Sequence, residues 1–340
     1  MRILLTADPP LPVPPPGYGG IERIVDALAR CFRIQGHTVG LVAHPDSTCA
    51  VDALFGWPST GRDGGSLRNS LALLRATRRF RPDVLHSFSR LGYLLPLLFA
   101  PLPKVMSYQR HTGGRQIAWA ARLAGRSLRF TGCSEYICAM GRPSGGAWSA
   151  VHNFVELDKV TFVPRVPADA PLVFLSRIES IKGPDIAIDI ARASGRRLIL
   201  AGNRADKGPE RDFWDRRIAG RIGRDGVEWV GEVNDERKND LLGRAAALVV
   251  PIQWDEPFGI VFAEALAAGT PVITCARGAT PEIIEPGRTG FFVSDAAGGA
   301  AAVARLDQID RLACRRSAES RFSSVVCSAQ YLKIYQEFKP

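Results

Sequence analysis

Short β-rich runs alternating with stretches of helical spacing set the strongest limit on how this chain can fold. In the first half the runs are Ile3–Thr6, Val39–Ala43, Val84–Phe88, Val105–Tyr108, Arg129–Ser134 and Ala150–Phe154. In the second half they are Leu172–Ser176, Leu198–Ala201, Val227–Val230, Leu248–Pro251, Val272–Cys275 and Gly290–Val293. Strands joined by helical crossovers make parallel sheets, so the chain reads as α/β. Its 340 residues exceed one ordinary core and suit domains of about 150 residues. We place a Rossmann-like, doubly wound domain at 1–155 and a second at 156–325. A C-terminal helix at 326–340 is expected to pack back toward the first domain. Prolines and charges gathered in "NFVELDKVTFVPRVPADAP" mark the hinge. Ligands of open α/β sheets bind beyond the carboxyl ends of the strands, so the expected site is a cleft between the domains.

Composition excludes several classes. The apolar runs, such as Leu94–Leu102, are broken by prolines and fall short of the ~20 residues of a membrane span. The start, "MRILLTADPP", reads as a strand and loop rather than a signal peptide, which predicts a cytoplasmic protein. Seven cysteines, irregularly spaced and without a C-x-x-C pair, read as reduced thiols packed as small hydrophobes. A net charge of +10, mostly from arginine, implies an anionic partner. No aromatic-studded basic platform supports nucleic acid in that role.

The motifs fall just after strands. "LLTADPPLPVPPPGYGGIERIV" is a strand, a proline-stiffened loop, a glycine pair and a helix start. Gly19 and Gly20 would let backbone N–H groups approach a phosphate, or would simply make a turn. "FLSRIESIKGPDIAIDIA" puts Arg177 and Lys182 between a strand and a helix. There the two cations would hold phosphates, or else be solvated. In "PIQWDEPFGIVFAEALAAG" a strand leads through Glu256, Pro257 and Phe258 to a helix whose free N–H groups at Gly259, Ile260 and Val261 make an anion site. Glu264 lies within that apolar helix, where an unpaired carboxylate is costly. It would accept hydrogen bonds from a ribose diol, with Glu256 serving a second sugar; the alternative is a buried pair with an arginine. His86 and His111 both follow strands in the first half, and Arg115–Phe130 reads as a basic helix carrying Trp119. Such a helix would lie on an anionic membrane or be an ordinary surface helix. No D-x-D and no G-x-x-x-x-G-K-[ST] is present, so neither a carboxylate pair for a metal nor a P-loop is expected.

Taken together these residues resemble glycosyltransferase family 4, the retaining GT-B enzymes. The likeness rests on the E-x7-E spacing of Glu256 and Glu264, on "GATPEIIEPGRTGFFV", "SRIESIKG" and "VEWVGEV", and more loosely on "YGGIERIV", "HSFSR" and "RHTGG". It implies a GT-B architecture whose second domain holds a nucleoside-diphosphate sugar. Glu264 would then meet the ribose, Arg177 and Lys182 the diphosphate, and Glu256 the donor sugar. Backbone near Gly231 and Glu232 would meet the base, Gly20 the phosphates, and His111 the reacting carbon. With no metal or other cofactor, Arg177, Lys182 and the helix start at Gly259 would stabilise the leaving group. The resulting expectation is a retaining, metal-independent transfer, from a UDP-sugar to a saccharide or lipid-linked acceptor, in surface-glycan synthesis. The enzyme would sit in the cytoplasm or peripherally on the inner face of the plasma membrane. GDP-mannose as donor, a GT-B epimerase, and a basic polyanion-binding protein are the alternatives.

Overall fold

The computed structural model describes residues 1–17, 19–61, 65–110 and 113–338. It divides into two compact units: Met1–Phe154 with Ser324–Pro340, and Val155–Ser323.

The first unit is built on seven parallel strands: β1 (Arg2–Thr6), β2 (Thr38–Ala43), β3 (Ala53–Gly56), β4 (Val84–Ser87), β5 (Lys104–Tyr108), β6 (Leu128–Gly132) and β7 (Ala147–Ala150). Their order is β3-β2-β1-β4-β5-β6-β7, so the direction of winding reverses between β1 and β4. Its helices are α1 (Gly20–Ile34), α2 (Ser66–Phe80), α3 (Arg115–Ala124) and α4 (Glu135–Gly141). Leu73 and Phe80 of α2, Leu94 and Leu97 of the turn Leu91–Leu97, and Ile117 and Ala120 of α3 share one core cluster with Leu4, Leu85 and Phe130. These three segments therefore cover the same face of the sheet.

The second unit carries six parallel strands: β8 (Leu172–Leu175), β9 (Leu198–Ala201), β10 (Val227–Trp229), β11 (Ala247–Val250), β12 (Val272–Thr274) and β13 (Gly290–Phe292). Their order is β10-β9-β8-β11-β12-β13, reversing between β8 and β11. Every residue of β8 and β11 is buried, as the apolar runs LVFL and ALVV require of strands covered on both faces. The helices are α5 (Pro184–Ala193), α6 (Pro209–Phe213), α7 (Asp235–Arg244), α8 (Ile260–Ala268), α9 (Thr280–Ile283), α10 (Ala296–Val303) and α11 (Arg311–Arg321).

The last helix, α12 (Ser324–Gln336), belongs to the first unit. Its Tyr335 hydroxyl lies 2.5 Å from His86 Nδ1, and Tyr331 packs on the same ring. His86 is fully buried, with Nε2 2.6 Å from the Ser107 hydroxyl.

Three readings from the sequence are corrected here. The strand expected at Ala150–Phe154 is instead β7, where Trp148 stacks on Phe130 of β6 with ring centroids 4.9 Å apart. Strand β3 went unread because "ALFG" is too short and too broken by glycine to carry an alternating pattern. The helix read over Arg115–Phe130 stops at Ala124, where Gly125 takes a φ of +54°. The chain then turns into β6, so Arg129 is a strand residue and pairs with Glu337.

Candidate functional site

The loops after β8 and β11 flank the reversal point of the second sheet, the place where open α/β sheets leave room for a ligand. The first loop carries Arg177 and Lys182, the second Glu256. Glycines allow the loops to meet. A Cβ on Gly183 (φ +71°) would stand 2.2 Å from the Pro251 carbonyl oxygen. One on Gly278 (φ +59°) would stand 2.4 Å from the Glu256 backbone. The Gln253 N–H donates to the Ile181 carbonyl at 2.8 Å, tying the loops together.

As a result, Lys182 Nζ lies 2.5 Å from Glu256 Oε2, and each side chain is only 11% exposed. The Trp254 indole N–H donates to the same carboxylate oxygen at 2.9 Å, and the Lys182 ammonium sits over the Trp254 ring at 4.6 Å. Neither charge is isolated, which is what makes their burial tolerable. Arg177 leans on Glu179 at 2.5 Å. Glu210 accepts the Ser180 N–H and hydroxyl at 2.7 and 2.8 Å, fixing the loop between the two cations.

Helix α8 opens directly after the Glu256 loop, with Gly259 at φ +81° as its cap. The first N–H groups of a helix lack intrahelical partners and form its positive end. Gly259, Ile260 and Val261 stand there, half-buried. Pro257 and Phe258 do not offer side chains to a ligand. Both are buried, and the Phe258 ring meets Phe322 edge-on with centroids 5.7 Å apart.

Glu264 is not waiting unpaired. Its Oε1 lies 2.5 Å from Lys238 Nζ, and Lys238 also reaches Asp235 at 3.0 Å. A pair like the one weighed as an alternative thus exists, half-buried and with a lysine in place of the arginine. Burial opposes the charge on Lys238, but Glu264 and Asp235 outweigh it and raise its pKa. Gly231 (φ +75°) accepts the Gly202 N–H at 2.7 Å just beyond β9 and β10, while Glu232 is exposed. Beside them the Arg204 guanidinium lies 5.2 Å from the ring centroids of both Trp214 and Trp229.

In the first unit, Gly19 precedes α1, and a Cβ there would strike the Pro15 ring at 2.7 Å and Glu22 Oε2 at 2.9 Å. Gly20 is the first residue of that helix. His86, one of the two histidines singled out from the sequence, is a core residue held by α12. The other, His111, lies outside the described residues.

The structure thus joins Lys182 directly to Glu256 and gives Glu264 a separate partner on α7. Sequence reasoning missed Lys238, Trp254 and Arg204. Trp254 alone left a signal, two residues from Glu256 in the same loop; Lys238 is 26 residues from Glu264 and only the packing of α7 beside α8 links them.

Comparison with known proteins bears on the family and the fold. A family model described as "Glycosyl transferases group 1" matches residues 162–315, and one described as "Glycosyltransferase Family 4" matches residues 18–159. A glycogen synthase of Mycobacterium tuberculosis is 27% identical over 380 residues, covering 94% of this chain and 89% of its own. Among solved structures, AviGT4, a glycosyltransferase involved in avilamycin A biosynthesis, is 24% identical with a TM-score of 0.71 over 99% of this chain and 98% of its own. Anabaena HepE, solved in complex with UDP-glucose, is 18% identical with a TM-score of 0.75 over 99% of this chain and all of its own. The structural likeness establishes the GT-B architecture.

Proposed function

Because this chain belongs to the group 1 and family 4 glycosyltransferases, we propose that it transfers a sugar from a UDP-sugar to a saccharide or lipid-linked acceptor. We further propose that the transfer retains anomeric configuration, needs no metal, and serves cell-surface glycan synthesis at the cytoplasmic face. The observation carrying the donor side is the Lys182–Glu256 pair beside the start of α8. A diphosphate at that helix end draws the ammonium toward itself and frees the carboxylate for the sugar's hydroxyls. Arg177 and the backbone N–H groups of Gly259, Ile260 and Val261 share the charge of the departing nucleoside diphosphate. Glu264, held by Lys238, accepts from the ribose diol, and the backbone at Gly231 and Glu232 meets the base. HepE, a protein of the same fold, was solved with UDP-glucose, which supports the UDP choice. The deciding experiment is a donor screen with product detection across UDP-glucose, UDP-galactose, UDP-N-acetylglucosamine and GDP-mannose. Turnover of GDP-mannose alone would overturn the UDP choice, and release of free sugar epimer without an acceptor would overturn transfer.

The lipid-linked acceptor draws on a second observation. Among the described residues, six of the ten exposed large hydrophobic side chains lie on α2, α3 and the Leu91–Leu97 turn with its continuation: Leu67, Leu71, Leu95, Phe99, Trp119 and Leu123. Trp119 is 62% and Phe99 76% exposed, and Arg115, Arg122 and Arg126 flank them. An apolar face edged with cations suits an anionic lipid surface. No helix among the described residues is long and apolar enough to cross a membrane. The test is sedimentation with phosphatidylglycerol vesicles at low and high salt. Equal retention by wild type and by a variant with glutamine at the three arginines would count against docking.

A further inference from the structure

The second unit holds a cavity of about 830 Å³ at the end of its sheet away from Arg177, Lys182 and Glu256. Ala246 and Pro271, each directly ahead of a strand, place it at the amino ends of β11 and β12. The loop before β8, the ends of α5 and α10 and the start of α11 close its sides. Its charged lining is Arg165, Arg196, Arg311, Asp307 and Asp310, and among the described residues none of the five forms an ion pair. Arg311 is only 8% exposed. Its guanidinium donates to the carbonyls of Val163, Ala245 and Gly243 at 2.7, 2.9 and 2.8 Å, and to the Thr270 hydroxyl at 2.8 Å. Arg196 likewise donates to the Ala168 carbonyl.

All of these acceptors are neutral, so the hydrogen bonds fix both guanidinium groups without cancelling their charge. Buried charges are ordinarily paired, because taking one alone out of water is costly. Burial accordingly lowers the pKa of Arg311 to about 10. The two aspartates are exposed, and Asp310 turns one oxygen to the Leu312 N–H at 2.9 Å as the cap of α11. They stand in water at the rim, while the best-buried charge of the lining is a cation. Three arginines against two aspartates leave one positive charge over. Much of the remaining wall is apolar: Pro271, Val303 and Ile309 are buried there, and Leu306 lies beside them. Small-molecule sites are concave, mostly apolar, of roughly 300–1,000 Å³, with a few fixed polar groups to orient the ligand.

We propose that this cavity is a second ligand site, separate from the donor site, and that it takes a small aliphatic monocarboxylate. One negative charge matches the surplus of the lining, and the arginine fork suits the planar carboxylate. The aliphatic chain lies against the apolar wall and leaves water. Arg196 and Arg311 are held in place beforehand by backbone carbonyls, so binding does not have to order them. The site is independent of the transferase reading, because it shares no residue with the loops after β8 and β11.

The test uses the full chain and the probes butyrate, hexanoate and octanoate, with octanamide as the uncharged match. Saturation-transfer NMR titration reads their binding to wild type, Arg196→Gln and Ala304→Trp. Ala304 is an exposed residue of the wall, so the tryptophan fills the cavity while the charges stay. Affinity is expected to rise about fourfold per added CH₂. Octanoate should bind roughly tenfold tighter than octanamide, and each variant should lose octanoate binding roughly tenfold. Added UDP should leave bound octanoate in place. Octanamide bound as well as octanoate would overturn the proposal, as would octanoate displaced by UDP. No octanoate bound by wild type overturns it too. Equal binding by wild type and either variant does the same, and assigns the probe to the exposed apolar face of the first unit. Wild type that binds octanoate but no UDP strikes the donor reading alone. If Arg196→Gln fails to fold, Arg165→Gln carries the same comparison.

Discussion

Lys182 and Glu256, 74 residues apart in sequence, form a 2.5 Å ion pair at the carboxyl ends of β8 and β11, and Trp254 closes over both partners. Each charge compensates the other. In the proposed function a diphosphate sugar would give each a further partner.

The pair's structural role gives the first prediction. Lys182→Met strands the Glu256 carboxylate in a buried site, at a cost of about 3–5 kcal/mol. Lys182→Met with Glu256→Gln recovers most of that loss, because no uncompensated charge remains. Urea denaturation of the single and double variants measures it. Additive losses would show that the two side chains do not act as a pair.

The proposed function gives Glu256 and Glu264 different roles. Glu264→Gln weakens binding of free UDP by roughly tenfold, about 1.4 kcal/mol, since ribose is its proposed partner. Glu256→Gln leaves free UDP binding within twofold but lowers turnover of the intact donor by a hundredfold or more. Calorimetry and steady-state kinetics read the two effects. Identical behaviour of the variants would sink this division.

The proposed function predicts that turnover persists in excess chelator and is not stimulated by magnesium or manganese, because Arg177, Lys182 and the start of α8 would take up the leaving-group charge. Activity abolished by EDTA and restored by either metal would refute this.

Acid lability follows from His86. Burial lowers its pKa to about 3, well below the ordinary value near 6.5. The unfolded chain therefore takes up a proton over that window and the folded chain does not. The contribution to stability is complete above pH 6.5 and is lost as pH falls toward 3, at a slope of up to about 1.4 kcal/mol per pH unit. Denaturation midpoints at pH 7, 6, 5 and 4 should fall more steeply for wild type than for His86→Phe. Parallel slopes would exclude His86 as the source.

Eleven of the strands read from the sequence are present within a residue or two of their expected bounds, including all those of the second unit. They were legible because strands buried on both faces leave continuous apolar runs, and parallel crossovers space them with helices. The glycines after β8 and β12 were equally visible. Their purpose was not, since the contact of Gly183 with Pro251 and of Gly278 with Glu256 exists only once the sheet has aligned those loops.

The sequence alone determined the α/β class, the doubly wound order of elements, and the E-x7-E signature, because periodicity and local spacing are properties of the linear chain. Tertiary structure decided the partners. It gave Glu256 to Lys182 and Glu264 to Lys238, turned Phe258 into the core, moved Arg129 from a helix to a strand, and sealed His86 beneath α12. Each of these depends on which side chains meet across 26 to 249 residues of chain, and no local pattern encodes such meetings.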